Sequence, residues 1–302
     1  MATKTAVALL ALLVVLASGG VAAAQPAKLR VGIYAPSVEF GTAQARLTYV
    51  QSLAKAIEAA TGIKTEAQSY ASISALKADT TDLAIIDGPC YAVNLGWKLL
   101  ANATIGGGIA RPWALYSNTG DSMRALKGKK LAYVATGCND AGFVDNAMLE
   151  SEVDAQFFGA RVGEKDLTGA IADVSSYKTA QAVFAPLGEL KGLTKLFETG
   201  SVPNPAFVAL GKLPVGLTDK IATAVIGVAA NAAIAGWTKP SREPFTALAA
   251  RLGRFTKRGV LASPEPARLD AREVLIEPST LKDAAFVPAR RHYIRPSGDR
   301  ME

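Results

Sequence analysis

Two short stretches share one grammar and constrain the fold more than anything else in the chain. Lys129 to Phe143 reads as a buried strand, a tight glycine turn and the opening of a helix. Asp82 to Tyr91 repeats that order, with Leu83–Ile86 as the strand and Asp87, Gly88 and Pro89 at the turn. A strand that runs through a glycine turn into a helix aims backbone N–H groups at whatever lies above the strand. Each stretch also carries one of the only two cysteines in the sequence, Cys90 and Cys138. The two are read as opposing jaws of one cleft.

The surrounding pattern extends this. Leu29, Val31 and Ile33 alternate with Arg30 and Gly32 and predict a first strand ending at Tyr34. Leu47, Val50, Leu53, Ala54 and Ile57 recur at helical spacing, and Gly62 follows as a C-terminal cap. Further strands are expected at Lys64–Gln68, Leu83–Ile86, Ala182–Ala185 and Ala206–Leu210. Helices are expected at Ser72–Ala78, around Ala170–Lys178, over Lys220–Ala235 and around Phe245–Phe255. Trp113–Tyr116 reads as an extended connection between lobes. Successive strand–helix units with continuous apolar strands imply an α/β chain with parallel strands covered by helices. Ligands of such sheets lie beyond the carboxyl ends of the strands, where Tyr34, Tyr70, Asp87, Cys90 and Tyr91 fall.

With 302 residues, half of them apolar and a fifth charged, there is enough chain for two lobes. Lys4, the apolar run Ala6–Ala17 and Ala22–Ala24 have the form of a secretory signal peptide cleaved after Ala24, so export to the periplasm is expected. The formal charge of +7 is concentrated toward the end, at Arg290, Arg291, Arg295 and Arg300. Without interleaved aromatic residues this reads as a solvated basic tail over 291–302, not a nucleic-acid surface. Prolines 264, 266, 278, 288 and 296 predict irregular chain, with one short strand near Val274–Ile276.

The order of motifs resembles the phosphonate-binding type of periplasmic solute-binding protein, which serves ABC importers. The resemblance rests on Leu29–Ile33, Asp82–Pro89, Leu126–Tyr133, Gly137–Phe143, Ala182–Pro186 and Val202–Val208, and spans Lys28 to Ile234. It implies a type II periplasmic binding fold: two Rossmann-like α/β lobes with mixed central sheets, joined by two crossovers and closing on a small ligand. Lobe 1 would comprise 25–117 and 205–290, and lobe 2 would comprise 118–204. It also implies a monomer, a membrane ABC permease as partner, no cofactor and no catalysis.

Typical members line the turn equivalent to Gly137–Gly142 with Ser and Thr, which hold a phosphonate, phosphite or phosphate-like oxyanion. Here the turn reads Cys138-Asn139-Asp140-Ala141 and has no hydroxyl. A carboxylate about 4 Å from an anion repels it by about 1 kcal/mol in water, or about 4 at an effective dielectric of 20. If Asp140 instead caps the following helix, it consumes donors that an anion needs.

The expected ligand contacts are Tyr34, Asp87, Cys90, Tyr91, Gly137, Cys138, Asn139 and Asp140. Asp87 is suited to an amine or to capping its helix. Cys90 and Cys138 are open to three readings: a disulfide across the cleft, two unrelated buried residues, or a thiol pair for a soft metal. His292 is the only histidine, so no Cys/His metal site is expected. There is no Gly-x-Ser-x-Gly and no phosphate-binding loop, which removes the common hydrolase and nucleotidase signatures. Against the oxyanion receptor stand a receptor for an amine or metal-linked ligand and a non-transport sensor or partner-binding module with a cysteine-locked cleft.

Overall fold

The computed structural model describes residues 26–150, 153 and 156–253. The signal-peptide, Val274–Ile276 strand and basic-tail expectations lie outside the described residues. The first sheet contains β1 (Lys28–Tyr34), β2 (Lys64–Ser69), β3 (Leu83–Ile86), β4 (Lys98–Thr104), β10 (Ala206–Ala209) and β11 (Gly236–Thr238), in the order β11-β4-β10-β3-β1-β2. The second contains β5 (Ala110–Ser117), β6 (Lys130–Val134), β7 (Ala160–Glu164), β8 (Ala182–Pro186) and β9 (Thr194–Pro203), in the order β7-β6-β8-β5-β9.

Both sheets are mixed. β1 runs parallel to β2 and β3, and β6 parallel to β7 and β8, whereas β10 is antiparallel to β3 and β4, and β5 to β8 and β9. Parallel pairing is therefore confined to β1, β2 and β3 in the first sheet and β6, β7 and β8 in the second. The chain changes sheet twice, at 105–109 and at 204–205, and after the second change β10 runs antiparallel to β3 and β4. Trp113–Tyr116, expected as a connection, lies inside β5, so the chain enters the second sheet at Ala110 and not at residue 118.

Period-two alternation distributes the strand residues to the two faces of the first sheet. Leu83, Ile85, Phe207 and Ala209 face one buried cluster with Leu29, Val31 and Ile33. That cluster is covered by helices α1 (Ala43–Thr61) and α6 (Val215–Ile226), through Val50, Leu53, Ile57, Ile221 and Val225. Ala84, Ile86, Ala206 and Val208 face a second cluster, continuous with the interior of the other lobe through Trp113, Phe143 and Phe184.

Helix α1 starts at Thr42, whose hydroxyl accepts from Ala45 N, and stops at Gly62 in the left-handed region, as the sequence predicts. Helix α2 (Ile73–Ala78) is capped by Ser72 in the same way. The helix expected over Lys220–Ala235 instead covers Val215–Ile226. Gly227 weakens its continuation, and the Asn231 side chain captures Ala233 N and Ile234 N in a turn, at 2.9 and 2.6 Å. Further helices are α3 (Gly88–Ala92), α5 (Leu167–Ser175) and α7 (Glu243–Gly253), with a 3-10 turn at Met123–Leu126. Between β6 and β7 lies α4 (Asp140–Gly142), which continues as a π-helical turn over Phe143–Met148.

Helix α7 packs on α3, on the π-helical turn and on β9, so it touches both lobes. Phe245 is fully buried and meets the Tyr91 ring edge-to-face at 4.7 Å. Burying such a side chain is worth about 2 to 3 kcal/mol.

Candidate functional site

The cleft floor forms where β1 and β3 of the first lobe and β6 of the second end. β1 delivers Tyr34, whose hydroxyl donates across the cleft to Thr136 O at 2.9 Å. Burial pushes its phenol well above the ordinary tyrosine range, with Asp87 and Asp140 adding to the shift and Arg46 opposing it. Tyr34 is therefore a neutral donor.

β3 delivers Asp87, which is 1% exposed. It occupies the N-cap position of α3, yet its side chain makes no capping bond. Oδ2 accepts from Ser37 N at 2.7 Å, and Oδ1 is buried with no hydrogen-bond partner. Burial raises its pKa to about 6, with Asp140 adding and Ser37 and Arg111 opposing. Arg111, from β5, donates through Nη2 to Ser37 O at 2.7 Å and lies over the Trp113 ring at 5.9 Å from its centroid. The Ser37 backbone thus stands between the carboxylate and the guanidinium.

The opposite jaw is organised differently. Gly137 and Asn139 both take left-handed backbone, at φ 68° and 64°, a conformation open to Gly and tolerated by Asn. Asn139 is the N-cap of α4, and its Oδ1 accepts from Gly142 N at 3.3 Å. Asp140 does not cap that helix. Its carboxylate turns back, Oδ1 accepting from Thr136 N at 3.0 Å and Thr136 Oγ1 at 2.6 Å, and Oδ2 from Gly137 N at 3.0 Å. Thr136 supplies a hydroxyl just ahead of the turn that sequence reading found without one. The chain's own carboxylate occupies the donors an incoming oxyanion would use.

Cys90 on α3 and Cys138 in the turn are joined by a disulfide, and both are buried. Of the three readings left open for them, the bridge is the one present. It links the lobes directly, beside further crossings that include the Tyr34 bond, Arg111 Nη2 donating to Ser37 O and Leu167 N donating to Pro36 O at 3.0 Å. A Cβ on Gly137 would lie 3.4 Å from Ile73 Cγ2 of the other lobe. These contacts are those of a closed cleft. At its mouth remains a cavity of about 160 Å3, lined by Val38, Phe40, Thr42 and Arg46 from one lobe and Asp166 and Thr168 from the other.

Two tyrosines face elsewhere. Tyr91 is fully buried against Phe245, with its hydroxyl on Trp97 O at 3.3 Å. The Tyr70 hydroxyl is held within its own lobe by Asp79 and Thr81. The structure therefore brings together Tyr34, Asp87, Cys90, Gly137, Cys138, Asn139 and Asp140, and leaves Tyr91 in the packing beneath them. Thr136, Ser37 and Arg111 complete the floor. Among the described residues no cluster of three or more His, Cys, Asp or Glu side chains could hold a metal. No helix among them is long and apolar enough to cross a membrane.

No protein-family profile matches the chain, and no curated protein matches it. Solved structures do. The chain is similar to PhnD1 from Prochlorococcus marinus in complex with methylphosphonate, at 15% identity and TM-score 0.59, over 76% of this chain and 98% of that one. It is similar to a binding protein component of an ABC phosphonate transporter from Pseudomonas aeruginosa, at 14% identity and TM-score 0.56, over 74% and 85%. A third is XAC2383 from Xanthomonas citri bound to ATP, at 11% identity and TM-score 0.58, over 76% and 98%. At these identities the likeness speaks for architecture, and together with the two mixed sheets it gives this chain the fold of the type II periplasmic binding proteins.

Proposed function

We propose that the protein is a periplasmic solute-binding receptor for a small polar ligand, whose exchange is governed by Cys90–Cys138. The oxidised chain is held shut, and reduction to two thiols frees the lobes to open. The position of the disulfide carries this reading, because it joins the two jaws on opposite sides of the cleft that must part for a ligand to enter. Reduction needs an external dithiol, which becomes oxidised as the S–S bond is replaced by two S–H groups. Survival of such a bond fits an oxidising compartment outside the cytoplasm. The Pseudomonas aeruginosa protein named above is a component of an ABC phosphonate transporter, and we extend delivery to an ABC permease to this chain. We assign no catalytic role.

Methylphosphonate and inorganic phosphate are weak ligands on this reading, because each would have to displace the Asp140 carboxylate from Thr136 and Gly137. The same bridge also favours a second reading, in which the cleft stays locked and the protein senses or docks a partner without transport. Thiol counting and small-angle X-ray scattering of the native protein, before and after a dithiol, separate the two. The receptor reading expects two released thiols and a larger radius of gyration. Release of both thiols with unchanged scattering would replace it by the locked module.

A further inference from the structure

The two lobes differ in charge at the ends of their sheets that lie away from the cleft. In the first lobe, Lys28, Arg30 and Lys64 stand at the starts of β1 and β2 with carboxylates among them. Lys28 pairs with Glu66 and Arg30 with Asp79, and Arg30 N donates to Asp82 Oδ2 at 2.8 Å. In the second lobe, Arg124, Lys127, Lys129 and Lys130 lead into β6, and all of them are exposed. None forms an ion pair among the described residues, and Asp121 is the one carboxylate between Asn118 and Leu131.

Hydrogen bonds draw a further cation to the same end. Gln181 is tied to Lys130 twice, its N donating to Lys130 O at 2.9 Å and its Oε1 accepting from Lys130 N at 3.1 Å. Asn118 donates through N to Gln181 O and through Nδ2 to Val174 O and Ala180 O. These bonds close the turn after α5, in which the exposed, unpaired Lys178 takes left-handed backbone at φ 56°. Beside it Tyr177 is 72% exposed, more than any other large apolar side chain among the described residues. Lys130 opens β6 and Val134 ends it, so this face lies four residues, about 13 Å, behind the cleft end of the strand.

Unpaired cations around an exposed tyrosine match an anionic lipid surface. Lysine stems lie along apolar material while their ammonium heads reach phosphate, and a tyrosine ring settles at headgroup depth with its hydroxyl in water. Basic residues near such a surface act together through its potential and need no fixed partner. A protein partner fits less well, because interfaces between proteins are depleted in lysine, and Arg124 is the only arginine in this group. We infer that this end of the second lobe is a docking surface for an anionic phospholipid bilayer, with Tyr177 at the headgroup boundary. Contact there leaves the cleft, at the other end of β6, facing solution.

Flotation of the protein with phosphatidylcholine vesicles, with and without phosphatidylglycerol, tests this. Binding is expected only with phosphatidylglycerol, and is expected to be lost at about 1 M salt, where charges are screened over about 3 Å. Replacing three lysines at once, Lys127→Gln, Lys129→Gln and Lys130→Gln, is expected to weaken binding roughly 100-fold. The same loss of charge at the exposed Lys55, Lys64 and Lys220 of the first lobe is expected to cost less than about threefold. Both variants keep the basic tail, so the pair separates this face from net charge.

Tyr177→Trp reports on the same face without removing a charge. Its emission is expected to shift to the blue with anionic vesicles alone, against the constant background of the buried Trp113 and Trp237. Equal losses in the two triple variants, or emission of Tyr177→Trp that does not respond to anionic vesicles, overturns the assignment. Failure of the unaltered protein to float with phosphatidylglycerol also overturns it and leaves the face to an acidic protein partner.

Discussion

Asp87 and Asp140 stand at corresponding places in the two lobes, each just beyond a parallel strand and beside a cysteine of the bridge. Their surroundings are opposite. Asp140 accepts three hydrogen bonds within its own turn, and Asp87 accepts one and leaves an oxygen buried without a donor. A carboxylate holding two or three donors is a structural anion. A carboxylate buried against a single backbone donor carries a desolvation cost, which is what raises the pKa of Asp87. The contrast separates a jaw whose carboxylate serves its own turn from one whose carboxylate is buried against the Ser37 backbone.

The largest test removes what holds the jaws together. Cys90→Ser with Cys138→Ser is expected to lower stability by about 4 kcal/mol, from the loop-closure entropy of a 48-residue separation, and Tm by roughly 10 °C. Calorimetry of the double variant checks this; an unchanged Tm would mean that the bridge restrains nothing.

The next pair sets the carboxylates against each other. Asp140→Asn turns an amide donor toward N–H and O–H donors and is expected to cost about 2 to 3 kcal/mol. Asp87→Asn keeps an acceptor for Ser37 N and removes a buried charge, so at pH 7 it is expected to stabilise by about 1 to 3 kcal/mol. Urea unfolding of both variants in parallel reads the difference. Two shifts of the same sign would end the comparison.

The pH dependence follows with a definite sign. A carboxyl raised from 3.8 in the unfolded chain to about 6 in the fold binds its proton more tightly when folded. Its contribution is therefore complete below about pH 4 and is lost as pH rises through 6, on the order of 3 kcal/mol. Glu164, raised by burial and by Asp173, acts in the same direction. Unfolding curves between pH 4 and 7 are expected to flatten in Asp87→Asn. The smallest effect belongs to Tyr34→Phe, which leaves Thr136 O without its cross-cleft donor and costs about 1 kcal/mol. Chemical denaturation of the variant measures it.

Much of this architecture was legible because it follows from local pattern. Leu83–Ile86 is a continuous apolar run and folds over those four residues as a strand. Helix α1 follows from its apolar spacing and Gly62. β4 was not legible: Leu-Leu-Ala-Asn-Ala-Thr has weak strand propensity, and Asn102 belongs in the core only because it bonds both Ser241 N and Ser241 O, 139 positions away. β7 is a partly charged edge strand that its neighbour pairs into place.

At the site, the cysteine pair could be located from strand ends, because two similar turns face one another. The direction of Asp140 could not. Whether it reaches forward to a helix or back to Thr136 is decided by the left-handed backbone at Gly137 and Asn139. The place of Arg111 was hidden for another reason, since its acceptor, Ser37, is 74 residues away.

Helix α7 bears on how such a molecule could move. Its early residue Phe245 rests on Tyr91 of the first lobe. Its last turn is fastened to the second, by Arg251 to the carbonyls of Ala147, Thr199 and Ser201 and by Leu252 O to Asn146. Two strands alone allow one lobe both to bend and to twist against the other. An attachment away from those strands resists the twist and leaves mainly one angular coordinate, so the open protein should have a single narrow distribution of lobe separations.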